Sequence, residues 1–137
     1  MKFRYLIPWL LLSFWVFAEE SLIQPKIQDG ISFISGGVGG DERDAMRAIS
    51  KDFNLNLLFS MAGSGEYLSD VTVLIKDVAG NHLLQTLADG PMFFARLKPG
   101  RYDLSVEQNG HSIEKIIKID EKHTTTLSIT WAPNPDQ

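Results

Sequence analysis

The sequence predicts a mainly β fold: a β-sandwich with one N-terminal amphipathic helix. Three observations carry this reading. From residue 54 onward, apolar and polar residues alternate with a period of two in one short run after another. Clusters of Gly, Pro, Asn and Asp separate these runs at regular intervals, as they do in sandwiches and barrels. Only one earlier stretch carries apolar residues at helical spacing instead.

The elements follow in order. Residues 19–29 are mostly polar and contain Pro25, so they read as a flexible lead-in. Ile31, Phe33 and Ser35 alternate with Ser32 and Ile34, which gives a short strand. The run Gly36-Gly37-Val38-Gly39-Gly40 cannot hold regular structure and reads as a loop. Asp41 is expected to cap the helix that follows, with Glu42 and Asp44 in its positive first turn. Ala45, Met46, Ile49 and Phe53 recur at helical spacing, which predicts a helix over residues 42–52. Arg43, Arg47 and Lys51 fall four apart along one flank of it.

Leu55, Leu57, Phe59 and Met61 form the next strand, which Gly63-Ser64-Gly65 breaks. Val71, Val73 and Ile75 form another, and residues 77–81 turn the chain into a return strand over 82–87. Asp89-Gly90-Pro91 is a turn, after which Phe93, Ala95 and Leu97 share a face. Lys98-Pro99-Gly100-Arg101 has Pro and Gly where a type II turn needs them. Tyr102, Leu104 and Val106 alternate with polar residues as far as Asn109-Gly110, a strong signal for a tight hairpin. Ile113, Ile117 and Ile119 continue beyond it. Lys115 interrupts their face, so a bulge is expected there. Thr125, Leu127, Ile129 and Trp131 make the last strand, and residues 133–137 are a polar, proline-containing tail.

Composition bounds the rest. A chain of 137 residues with 44% hydrophobic residues fits one globular domain, placed at 30–132. Lys2 and Arg4, an apolar stretch over residues 6–18 and the small residue Ala18 make a secretory signal peptide of residues 1–18. Thirteen residues at about 1.5 Å each fall short of the roughly 30 Å hydrocarbon core, so cleavage is expected and no membrane association after it. Removing Lys2 and Arg4 from 13 basic residues leaves 11 against 17 acidic ones, a net charge of −6. That acidic balance argues against nucleic acid as a partner. The absence of cysteine excludes disulfides, thiol nucleophiles and Cys-ligated zinc. The expected location is periplasmic or secreted.

One segment carries a family resemblance. Val73-x-Ile75-x-Asp77-x-x-Gly80, Asp89-Gly90, and Phe94-x-x-Leu97-x-Pro99-Gly100-x-Tyr102-x-Leu104-x-Val106-x-x-x-Gly110 resemble carboxypeptidase regulatory-like domains. These belong to the transthyretin-like group of Greek-key sandwiches. The similarity covers residues 70–130. Ser35-Gly36-Gly37-Val38-Gly39, Asp41-Glu42 and Gly65-Glu66-Tyr67-Leu68 resemble a group of small exported bacterial proteins that carry this domain and have no assigned activity. The resemblance implies a Greek-key β-sandwich of seven or eight strands that serves as a binding or accessory module. It implies no peptidase activity, because in the carboxypeptidases the catalytic domain is separate.

The residues themselves offer little chemistry. His111-Ser112-Ile113-Glu114 spells a zinc-carboxypeptidase HxxE pair, but on a strand positions i and i+3 face opposite sides. His82, His111 and His123 are scattered over strand ends and turns, so no metal site is expected. The transthyretin-like hydrolases of purine breakdown end in a tyrosine motif, whereas no tyrosine follows Trp131 here. Gly37-x-Gly39 begins a dinucleotide-type pattern that fails at Glu42, and the three acids Asp41, Glu42 and Asp44 would repel a phosphate. Those acids also lack the spacing of a calcium loop. Lys76 falls on a polar face with no Asn or Asp in the last strand, so no isopeptide bond is expected.

The expected function is therefore that of an exported, non-catalytic binding or accessory module for an envelope protein or peptide, with no cofactor and no catalytic residues. Its candidate partner-binding residues are Gly37, Gly39, Asp41, Arg43, Arg47 and Tyr67. The second reading is a carbohydrate-binding domain, for which Tyr67 is the best exposed aromatic. The third is a small hydrolase built on converging histidines.

Overall fold

The structure is a computed structural model and describes residues 23–133. The signal peptide expected at residues 1–18 and the last four residues of the tail lie outside the described residues. The fold is mainly β, with nine strands in two sheets. In chain order these are β1 (Lys26–Gln28), β2 (Ile31–Gly36), β3 (Leu55–Met61), β4 (Val71–Asp77), β5 (His82–Ala88), β6 (Met92–Arg96), β7 (Gly100–Gln108), β8 (His111–Ile119) and β9 (Thr125–Trp131). A helix, α1 (Gly40–Ile49), joins β2 to β3 and ends in a 3₁₀ turn over Ser50–Asp52.

Sheet A has the order β1-β2-β6-β3-β9, and sheet B the order β5-β4-β7-β8. The chain changes sheet after β3, β5, β6 and β8. Neighbours are antiparallel except β3 and β9, which run parallel over seven register pairs from Leu55↔Thr125 to Met61↔Trp131.

Period-two alternation places the core between the sheets. Leu55, Leu57 and Phe59 of β3 meet Val71, Val73 and Ile75 of β4, with Leu104 and Val106 of β7 and Ile117 and Ile119 of β8. Phe33 and Phe93 stack at 6.0 Å between centroids, and Phe59 meets Trp131 edge-on at 5.9 Å. A second cluster fills the opposite face of sheet A, where Met46 of α1 and Phe53 cover Ile34, Met92 and Phe94, joined by Ile23. Sheet A is thus buried on both faces along β6. That is why β6 reads as the nearly unbroken apolar run Met92-Phe93-Phe94-Ala95 and shows no clean alternation.

Several expectations need correction. The strands number nine because residues 26–28 of the expected lead-in form β1. Asp29 (φ 50) and Gly30 (φ 81) make the tight turn that returns it to β2. Asn109 (φ 51) and Gly110 (φ 81) do the same between β7 and β8, as expected. The expected type II turn at residues 98–101 is absent. Gly100 has φ 153 in place of the roughly +80° such a turn requires, and it already begins β7. Lys115 sits in continuous register opposite Leu104 with no bulge. The register shift falls instead at Ile75/Lys76, where β5 carries Leu83 as the extra residue.

Candidate functional site

The site is the loop between β2 and α1, together with the chain segment that folds over it. Three glycines allow this loop to form. Gly37 (φ 98) and Gly39 (φ 90) take conformations that side-chain-bearing residues avoid. A Cβ on Gly90 would run into the backbone carbonyl of Gly36, so the 89–91 turn packs backbone against backbone on the end of β2. The Ser35 hydroxyl accepts the Asp89 N–H at 3.0 Å and fixes the same junction.

The helix starts two residues earlier than expected, and Asp41 is not its cap. Gly39 is the N-cap, its carbonyl accepting the Arg43 N–H at 3.1 Å. Asp41 lies exposed in the first turn, and the N-cap makes no side-chain bond. The reason is backbone geometry. Gly39 supplies the sharp entry angle, so the helix begins before the first good capping side chain. Glu42, the third helical residue, reaches back instead, and its Oε1 accepts the Gly37 N–H at 2.8 Å. This is the reach of a capping box, extended two residues beyond the cap.

Arg43 stands one residue further on. Its Nη1 donates to the Gly37 carbonyl at 3.1 Å, and its Cζ lies 5.0 Å from the centroid of the Tyr67 ring, a cation–π contact. Tyr67 reaches this point because residues 62–68 fold back on β3. The Met61 N–H donates to the Glu66 carbonyl at 2.8 Å, the Leu68 N–H to the Phe59 carbonyl at 3.1 Å, and Tyr67 bridges Ser60. Buried Leu68 anchors the segment and leaves Tyr67 44% exposed. Val38, 60% exposed, projects beside the same loop.

The structure therefore brings together Gly37, Arg43 and Tyr67 and places Gly39 at the helix cap beside them. It does not gather Arg47 into the group. Arg47 pairs with Asp44 at 3.3 Å, and both side chains are largely exposed. The expected basic stripe is thus divided, with Arg43 engaged at the loop and Lys51 exposed in the 3₁₀ turn. Sequence reasoning missed Glu42 as the group that ties the loop to the helix. The available signal was a glutamate three residues after a glycine able to cap.

The histidines stand apart. Sheet order puts His82 on the β5 edge and His111 at the far end of the β8 edge. His123 lies between β8 and β9, its Nδ1 3.3 Å from Asp120. The Lys122 backbone N–H, then His123, hold the Asp120 carboxyl below its usual range. Among the described residues no three His, Asp or Glu side chains gather to hold a metal ion. No helix among them is long and apolar enough to cross a membrane. No protein-family model and no curated protein matches this chain. What the fold defines is a class, a mainly β two-sheet sandwich with a helix on one face.

Proposed function

We propose that this chain is an exported binding or accessory module that captures an extended peptide segment of an envelope protein at the Gly37–Arg43–Tyr67 surface, and that it is related to the carboxypeptidase regulatory-like domains. The observation that carries the reading is Arg43, held between the Gly37 carbonyl and the Tyr67 ring. One of its five N–H donors is engaged there, and the remainder suit a peptide carbonyl or carboxylate. Arg and Tyr are the side chains that most often anchor protein interfaces, and Val38 adds exposed apolar surface beside them. The separation of the three histidines supports a non-catalytic role.

Carbohydrate binding takes second place, because Arg43 covers one face of Tyr67, the exposed aromatic ring that a sugar would stack on. The test is cross-linking in intact Gram-negative cells with the full chain and with Val38→Asp and Tyr67→Ala variants. Capture of the same envelope protein by wild type, lost in both variants at unchanged melting temperature, is the expected result. Equal capture by all three chains sinks the reading.

A further inference from the structure

The outer face of sheet B carries six charges, none within 4.0 Å of an opposite charge among the described residues. Their order is not random. Arg101 and Lys118 stand directly opposite each other at one end of the β7–β8 pair. Glu107 and Glu114 stand on neighbouring rows at the other end. Between them Lys76 faces Asp103 across β4 and β7. All point away from the core, since the buried residues of these strands alternate with them. Like charges placed directly opposite on a sheet destabilise it. The face therefore bears a cationic end, where Lys118 also attracts Asp120, and an acidic end, around half-buried Leu74 and Ile116, which is 71% exposed.

We infer that this face packs against the same face of a second copy, with the strands of the two copies antiparallel. A two-fold axis perpendicular to the strands sets Glu107 over Arg101 of the second copy and Glu114 beside its Lys118. An axis parallel to the strands would put like on like, so charge selects the arrangement. This is the self-complementarity that an isologous interface needs. Four strands spaced about 4.8 Å and seven residues of about 3.3 Å give a projected face of about 440 Å². That lies at the low end for specific association, so the dimer is weak and salt-sensitive.

The test is sedimentation equilibrium on the full chain, purified in the form the cell accumulates, at low and high salt. Two charge-reversed variants accompany it: Arg101→Glu with Lys118→Glu, and Glu107→Lys with Glu114→Lys. All four positions are exposed, and circular dichroism checks folding. If a reversed variant misfolds, the neutral pairs Arg101→Gln with Lys118→Gln and Glu107→Gln with Glu114→Gln replace it. The wild type should dimerise at low salt and dissociate as salt rises. Each reversed variant alone should dimerise on the order of a hundredfold more weakly, and their equimolar mixture should recover the dimer. A wild type that stays monomeric at low salt overturns the inference. So does a dimer indifferent to both reversals, or a mixture that fails to recover it.

Discussion

The Tyr102 phenol donates a 2.6 Å hydrogen bond to the Lys98 carbonyl, four residues upstream, where the chain leaves β6 in sheet A and enters β7 in sheet B. Tyrosine corners of this kind lock the crossing between the sheets of a sandwich. The ring packs in the main core, while the hydroxyl holds the irregular backbone of residues 97–99. Replacing Tyr102 with Phe keeps the packing and removes the bond. The expected loss is about 1 kcal/mol, seen as a drop of several degrees in the thermal midpoint. An unchanged midpoint would mean that the bond contributes nothing.

The same phenol sets an alkaline limit. Burial, and then the charge of Asp77, push its pKa above the ordinary value. A raised folded-state pKa contributes stability that is complete below the unfolded value of about 10 and is lost as pH rises through the folded value. Chemical denaturation at a series of alkaline pH values should show stability falling above about pH 10. Tyr102→Phe should flatten that fall, and an equally steep decline in the variant would assign it to other groups.

Asp77 works in the opposite direction. Its Oδ2 accepts the Asn81 side-chain amide at 2.9 Å, and its Oδ1 accepts the backbone N–H groups of Ala79 and Asn81, each at 2.9 Å. These bonds, the Asn81 side chain first, hold its carboxyl below the usual range. The stabilisation is present above the unfolded pKa and is lost as pH falls through the folded value. In an NMR titration, Asn81→Ala should move the Asp77 carboxyl back up toward its ordinary pKa. No movement would show that the backbone donors alone account for the shift.

Two glycines should respond differently to alanine. A Cβ on Gly90 strikes the Gly36 backbone, which cannot rotate away, so Gly90→Ala should cost about 2 kcal/mol or more. Gly40 meets nothing and opens α1, so Gly40→Ala should be neutral or stabilising by roughly 0.5 kcal/mol. Denaturant midpoints measured in parallel check both. Equal effects would mean that the 89–91 turn yields where the backbone contact says it cannot.

Local rules explain what was legible in the sequence. Asn109-Gly110 announced its hairpin because only a tight turn with two positive φ values fits between two alternating runs. Asp29-Gly30 carries the same signal, yet β1 is not legible beside it, because its three exposed residues show no apolar pattern. In β6 the sheet-facing row of Phe93 and Ala95 is legible, with Leu97 beyond it, but the second apolar row of Met92 and Phe94 is not assigned from sequence, because α1, which covers it, meets it only in the fold. The candidate residues were individually visible, but the Arg43–Tyr67 contact was not. It joins a helix to a loop 24 positions away, and that meeting depends on residues 62–68 folding back on β3.

Lys115 shows how a misplaced charge serves the fold. It shares the core-facing row of β8 with Ile113 and Ile117 and faces buried Leu104, yet it remains exposed at the edge of sheet B. An inward-facing charge on an edge strand penalises any second strand that tries to extend the sheet, because pairing would bury the ammonium group. Among the described edge strands, β8 has nine residues against seven each in β5 and β9 and three in β1, so β8 offers the longest edge to unprotected pairing. Lys115→Val should complete the apolar row and raise the thermal midpoint. It should also lower the temperature at which light scattering first reports aggregation, since it removes the charge and adds a β-branched residue at an open edge. A variant that gains stability without aggregating sooner would show that Lys115 does not guard this edge.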